Sequence, residues 1–580
     1  MPTERSHREG KNVEQQRPII EARRAQMFPT LSGADIGRLQ RFGELRTYRA
    51  GTFAAQAGDV APGLQVILKG EVLVAPHEEH MRDQPIVTHG AGGFMGELAQ
   101  LSGRPSLVDA TALTDVEALV VPSGRLRDLM VEEADLGERI MRALILRRVG
   151  LLERGVGGPI IVGHAEHRDV LRLEGFLSRN GHPHQRLDPD ADDCAKTLLD
   201  RFQVKTDELP IVLCAQGQLL RNPTEGQLAR CIGMDRAIDE TAVYDVAIVG
   251  AGPAGLAAAV YAASEGLSVL TIDCRAFGGQ AGASARIENY LGFPTGISGL
   301  ALMARAHNQA QKFGAETTIP NEATTLQAAD TPAGPGYALG LQRGETIRAH
   351  AVVIASGAQY RQLDVDDLAE YEGGSVHYWA SPLERRLCTD SEVALVGAGN
   401  SAGQAAVYLS AQVSKLSMIV RGESLEATMS QYLCARIRAL PNVEVLVQTE
   451  VVELEGENGA LRAIRLRHRA SAAEQRRQVR HLFLFIGAEP NTKWLARSGV
   501  EVDGRGFIRA EALAGGGRLP FETNLPGVFT IGDVRAGSIK RVAAAVGEGA
   551  QVVAALHVYL AQARNASSPI VASVAEAARA

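Results

Sequence analysis

Between residues 26 and 153 short alternating apolar stretches, "YRAGTFAAQAGD" and then "LQVILKGEVLVA", are broken by glycines. They give way to "SGRLRDLMVEEADLGERIMRALILRRVGLLE", whose apolar positions recur at helical spacing. This pattern predicts a small all-β roll with a helical tail. From 157 to 235 the chain alternates between strands ("PIIVG", "LPIVLC") and helical stretches ("DVLRLEGFLSRNG"), which predicts a compact α/β domain. From 243 to about 560 strand and helix patterns follow one another as βαβ units with two glycine loops. Residues 1–25 and the Ala-rich tail at 561–580 are expected to be frayed.

A length of 580 residues exceeds what one core serves, so three or more domains are expected. The net charge of −7, without a dense Lys/Arg run, argues against nucleic acid or an anionic membrane as a partner. The polar N-terminus, "MPTERSHREGKNVEQQRP", has no apolar leader, and no run of about 18 apolar residues follows, so a cytoplasmic location is expected. None of the six cysteines forms a C-x-x-C pair or shows zinc-ligand spacing, so each is expected to be a free thiol and no metal site is expected. His164 and His167, without further ligands, read as a surface pair.

The segment "YDVAIVGAGPAGLAAAVYAASEG" sets an apolar strand before Gly250, Gly252, Pro253, Ala254 and Gly255, and a helix-forming run after them. In that context G-x-G-x-x-G is a strong dinucleotide signal: a tight turn, close backbone approach to a pyrophosphate and close helix–strand packing. "VLTID" ends in Asp273, placed to accept from ribose hydroxyls. In "TIGDVRAGSIKRVAAAVGEGA", Gly532 and Asp533 follow a strand, and Arg541, Val542 and Ala543 open a helix whose N-terminal dipole favours negative charge on a reduced flavin. FAD is therefore the expected ligand of this half.

"EVALVGAGNSAGQAAVYLSAQ" repeats the arrangement with Gly397, Gly399, Asn400, Ser401 and Ala402. Its next strand ends at Arg421, where an acid would suit NADH and an arginine suits the 2′-phosphate of NADPH. NADPH is favoured, with NADH as the alternative.

The order "GAGPAGLAAA", "GGQ", "IENYLGFP", "VVIASGA", "GAGNSAGQAA", "FIGAEPNT" and "GDV…KRVAAAVGEG" resembles the low-molecular-weight thioredoxin reductase family of bacterial flavoproteins. The resemblance implies an FAD domain made of 243–358 and 488–560 with an NADPH domain, 362–486, inserted in it, and commonly a homodimer. It also carries over Gly279, Gln280 and Asn289 as FAD contacts and Ser401 as an NADPH contact. Two departures stand out. Only Arg421 remains of the family's arginine cluster, and the slots of its redox C-x-x-C hold Trp379-Ala380-Ser381-Pro382. With no thiols there, the implied chemistry is hydride transfer from NADPH to FAD and then delivery from the flavin to an acceptor, either a small redox protein or a small molecule. No catalytic side chain is assigned, and Cys388 reads as a structural thiol. The alternatives are a thioredoxin-disulfide reductase and a flavin- and ligand-binding redox sensor.

Residues 26–153 resemble the cyclic-nucleotide-binding β-roll through "PGLQVILKGEV" and "FMGELAQLSGRPSLVDATA". The resemblance implies a pocket at Gly96, Glu97 and Leu98, but Ser106 stands where the family keeps its phosphate-binding arginine, unless Arg104 replaces it. The roll then binds a cyclic nucleotide or another small ligand, or serves packing alone. Residues 157–235 resemble a thioredoxin or glutaredoxin fold, with Pro210 at the cis-proline position and "GHAEHRD" where the catalytic cysteines belong, so a docking or spacer role is expected. The expected fold class is multidomain α/β: two Rossmann-like dinucleotide domains, one inserted in the other, behind a β-roll and a thioredoxin-like domain.

Overall fold

The computed structural model describes residues 23–566 apart from 78–84, 97–104, 155–157, 215–217, 235–237, 332–333, 373, 458–459 and 511–517. The chain divides into two compact units, Met1–Gly157 and Gly158–Ala580.

The first unit is a β-roll of two four-stranded antiparallel sheets. One runs in the order 44–48, 116–121, 64–69, 94–95, and the other 53–55, 109–112, 72–75, 87–89. Strand Val72–Ala75 alternates buried and half-buried residues, the period-2 signature of a sheet with one covered face. Helices Ser123–Glu132 and Ala134–Arg154 close the roll, burying Leu126, Leu129, Ile140 and Leu144 against Leu64, Val66, Phe94 and Leu119.

The second unit starts with a small mixed sheet in the order 185–187, 160–162, 211–213, 219–221, flanked by helices Arg168–Arg179, Asp193–Arg201 and Glu225–Cys231. The Leu209–Pro210 peptide is cis. This module shares a core with the dinucleotide fold behind it: Ile161, Phe176 and Leu228 pack with Leu256, Phe277 and Met303. It also holds a disulfide between Cys214 and Cys231, which corrects the expectation of free thiols for these two. The end of one strand and the end of the last helix bring their Cα atoms to 6.0 Å, a proximity that a separation of 17 residues does not reveal.

A seven-stranded sheet follows, in the order 316–318, 269–272, 243–249, 346–354, 334–341, 323–331, with strand Val528–Thr530 paired to 346–354. The chain leaves this sheet after Ile354 and rejoins it at Val528. Between them lies a second Rossmann-like layer, a five-stranded parallel sheet in the order 376–377, 481–484, 392–396, 415–419, 443–446, with an antiparallel three-stranded sheet beside it. Strands Ala358–Tyr360 and Ala488–Pro490 pair where the chain crosses between the two.

The last helix, Val542–Ala566, continues past 560, where the tail was expected to begin. By length and composition its segment Val542–Arg564 is apolar enough to cross a membrane. Here, however, Val552, Val553, Leu556 and Leu560 are buried in the core formed with the fingerprint helix Pro253–Ser264. A core helix passes the same test of apolarity.

Candidate active site

The first glycine loop lies between strand Val243–Val249 and helix Pro253–Ser264, whose N-cap is Gly252 and whose first residue is Pro253. Gly250 has φ of +111°, and a Cβ there would lie 2.2 Å from the Ala355 carbonyl oxygen. A Cβ on Gly255 would lie 1.8 Å from the Gly250 carbonyl oxygen, so this loop closes only with hydrogen at both positions. Around Gly252 the protein leaves open space except for the Gly279 Cα. The first turn of an α-helix leaves its amides without intrahelical carbonyl partners, so those of Ala254 and Gly255 form a helix start suited to an anion.

Asp273, at the end of the next strand, accepts from the Ala251 N–H at 2.9 Å with one oxygen and from Arg275 and Ala276 N–H with the other. Its first task is thus to hold the loop, with lone pairs left over for a hydroxyl. Burial pushes its pKa above the ordinary carboxylate range. Gly279 follows in direct contact with Gly252, and the Gln280 side-chain amide donates to the Ala358 carbonyl. Asn289 is exposed, in the loop that follows helix Gly279–Gly282.

Gly532 and Asp533 form a 3-10 turn that closes on the same place, with Gly532 (φ +72°) beside the Ala254 side chain. The turn is held by Glu548, which accepts from the Gly532 N–H at 2.6 Å and pairs with Arg535. Asp533 is half-buried, its pKa is raised by burial, and its carbonyl accepts from Lys540. Arg541 precedes helix Val542–Ala566, which presents Val542 and Ala543 in its first turn. Three distant stretches, 250–255, 278–280 and 532–533, therefore meet in one cradle of small residues at the start of helix Pro253–Ser264, which fits the pyrophosphate and ribityl parts of FAD.

In the inserted layer, Gly399 caps helix Asn400–Ser410 and no protein atom would meet a Cβ there, an open cradle that fits a second dinucleotide. Gly397 has φ of +142° beside the Phe485 carbonyl, Ser401 is exposed and Ala402 is buried. The Asn400 side-chain oxygen accepts from the Ser430 N–H at 2.7 Å, so this residue fastens a neighbouring loop. Arg421 is exposed two residues past strand Lys415–Ile419. A second arginine, Arg469, reaches the Arg421 carbonyl at 3.5 Å from another strand pair. The sequence pattern missed it because it lies 48 residues away.

Between the two layers lies an open cleft, lined among others by Gln280, Tyr360, Trp379, Ser401, Arg436 and Phe485. Arg436 pairs with Glu288 across it at 3.4 Å. Trp379 is fixed by its indole N–H, which donates to Glu384 at 3.0 Å, and by the Arg179 and Arg275 guanidiniums at 5.5 and 5.8 Å from its ring centre. Arg179 belongs to the small α/β module and also donates to the Gly279 carbonyl at 3.1 Å. Pro382 starts helix Pro382–Leu387, and Cys388 is fully buried in the inserted layer's core, its thiol pushed up to about 12 by burial. A buried, protonated thiol is inert. In the small α/β module His164 faces Asp188 and Asp190, whereas His167 accepts from the Asp169 N–H at 3.2 Å as a helix cap.

Two glycine cradles on two Rossmann-like layers, one inserted in the other, decide the class, and residues 244–549 match the family described as pyridine nucleotide-disulphide oxidoreductase. The chain belongs to that family. A thioredoxin reductase from Mycolicibacterium smegmatis is 32% identical over 308 residues, 53% of this chain and 93% of that protein. The F component of alkyl hydroperoxide reductase from Pseudomonas putida is 31% identical over 316 residues; that alignment takes in 54% of this chain and only 58% of that protein's length. The crystal structure of a T. acidophilum thioredoxin reductase superposes with a TM-score of 0.50 at 28% identity, covering 54% of this chain and 98% of that one. Family members use FAD and NADPH, and both cradles suit such ligands.

In the first unit, residues 45–133 match the cyclic nucleotide-binding domain. Of the pocket residues expected there, Glu97, Leu98 and Arg104 lie outside the described residues. The Gly96 carbonyl accepts from Arg147 at 2.9 Å, and the Ser106 hydroxyl donates to the Val108 carbonyl at 2.9 Å.

Proposed function

We propose that this chain is a cytoplasmic, FAD-dependent NADPH oxidoreductase that passes electrons from its flavin to an external acceptor, a small redox protein or small molecule, with no disulfide relay at positions 379–382. The observation that carries this reading is Trp379, pinned by Glu384, Arg179 and Arg275 where the related reductases keep a thiol pair.

The FAD would be held by Gly250, Gly252, Pro253, Ala254, Gly255 and Asp273, then by Gly279, Gln280 and Asn289, and finally by Gly532, Asp533, Arg541, Val542 and Ala543. NADPH would lie on Gly397, Gly399, Asn400, Ser401 and Ala402, with Arg421 at its 2′-phosphate. With both bound, the chemistry supplied is hydride transfer from nicotinamide to flavin. The chain's own part is orientation: helix starts that meet phosphates, a fixed turn at Gly532–Val534, and an indole that fills the thiol slots.

A second reading rests on Cys214–Cys231, the disulfide in the thioredoxin-like module, as an acceptor within the chain. Its reduction takes two electrons and two protons, breaks the S–S bond and leaves two thiols. An anaerobic NADPH titration of the purified protein separates the two readings. Uptake of about two electrons per chain with full bleaching supports the flavin as sole redox centre, and about four electrons supports the disulfide. No bleaching with either nicotinamide cofactor overturns both.

A further inference from the structure

The β-roll holds a cavity, open on one side, whose walls include Phe28, Val74, Ile86, Val87, Met95 and Leu151. Into this apolar space projects Arg147, from the long helix Ala134–Arg154, with only 8% of its surface exposed. Its Nε donates to the Met27 carbonyl and one terminal nitrogen to the Gly96 carbonyl, both at 2.9 Å. The other, Nη2, is buried with no hydrogen-bond partner among the described residues. No carboxylate pairs with this guanidinium among them either; its other neighbours are the Phe28 and Phe94 rings, at 5.2 and 4.4 Å.

A buried cation held only by carbonyls and ring faces is costly unless an anion completes it. Burial lowers its pKa to about 9, still high enough for the charge to persist at neutral pH. Across the same cavity Gln65, 1% exposed, donates to the Ala54 carbonyl but leaves its Oε1 without a partner among the described residues. His89 also lines it, and burial together with Arg147 holds it neutral, so among the described residues Arg147 is the one charged group on the wall.

We propose that this cavity binds an apolar monoanion, a carboxylate carried on an alkyl or aryl body, with the carboxylate on Arg147 Nη2 and the body against the aliphatic and aromatic wall. Gln65 Oε1 would accept from a donor on the body where one is present. Among the described residues a cyclic nucleotide finds less. Ser106, at the position where the resemblance places the phosphate-binding arginine, already commits its hydroxyl to Val108, and the described part of the wall offers a purine and ribose few polar partners.

The test is isothermal titration calorimetry of the full flavin-loaded chain with octanoate and benzoate, each against its neutral amide, and with cyclic AMP and cyclic GMP. At least one acid should bind, and at least tenfold more tightly than its amide. Arg147→Gln should remove that acid-over-amide preference, and Ala110→Val, which adds bulk to the cavity wall without touching the charge, should weaken acid and amide alike. Flavin content checks that the rest of the chain is unchanged. Equal binding of acid and amide, binding of a cyclic nucleotide alone, or no heat from any probe overturns the proposal.

Discussion

The guanidinium of Arg179 lies 5.5 Å from the ring centre of Trp379, so a residue of the small α/β module at the start of the second unit caps a side chain of the inserted layer. The same guanidinium donates to the Gly279 carbonyl of the first nucleotide cradle. One arginine thus ties three parts of the second unit together, and the module that lacks a C-x-x-C is joined to the reductase by chemistry as well as by its shared core.

Glu384 holds this arrangement by accepting from the Trp379 indole and from the Ser381 N–H at 2.8 Å, as a cap for helix Pro382–Leu387. Glu384→Ala should cost about 1–3 kcal/mol, the sum expected for a lost cap and an unpaired, half-buried indole N–H. Thermal unfolding checks the loss. Fluorescence should also shift, since Trp379 is one of only two tryptophans.

Gly399→Val isolates nucleotide binding from folding. No protein atom lies within 4 Å of where its Cβ would stand, so melting temperature and flavin content should stay unchanged. The KM for NADPH should rise by at least about tenfold, the equivalent of about 1.4 kcal/mol, as the branched side chain fills the pyrophosphate's place. Steady-state kinetics with an artificial acceptor reads this directly.

Arg421→Ala should lower kcat/KM for NADPH by about 10- to 100-fold, the range for one charge-assisted contact of about 1.5–3 kcal/mol, while leaving NADH nearly unchanged. Arg469→Ala should act in the same direction but less strongly, because Arg469 also lies 3.6 Å from Glu450. The ratio of the two cofactors' kcat/KM values is the measurement.

His377 and His481 make a buried pair, Nε2 to Nδ1 at 3.0 Å, and burial lowers them to about 4 and about 3, with Arg480 adding to the effect on His481. Folded pKa values below the unfolded value of about 6.5 mean that the unfolded chain binds more protons between those limits. Stability should therefore be fully present above about pH 6.5 and fall as the pH drops toward about 4. The His377→Phe/His481→Phe variant should show a flatter denaturant midpoint between about pH 7 and pH 5 than the parent chain.

What the sequence settled was local. Gly250 and Gly255 are needed because side chains there would strike the backbone of the same turn or the next strand, and such contacts leave a fixed spacing that can be read directly. The strands and helices around both loops followed from periods of about 2 and 3.6, since burial on one face imposes those periods on any sequence.

What the tertiary structure decided were pairings between residues far apart in the chain. Cys214 and Cys231 were expected to be free thiols and are bonded; Arg469 comes to Arg421, Arg179 to Trp379, and Arg147 to a cavity closed by Met27 and Gly96. Asp273, expected to serve a ribose, first serves the backbone of its own cradle. No periodicity encodes such meetings, because a hydrogen bond or a charge contact depends on where two elements are packed, and packing is set by the whole core rather than by the residues that happen to meet.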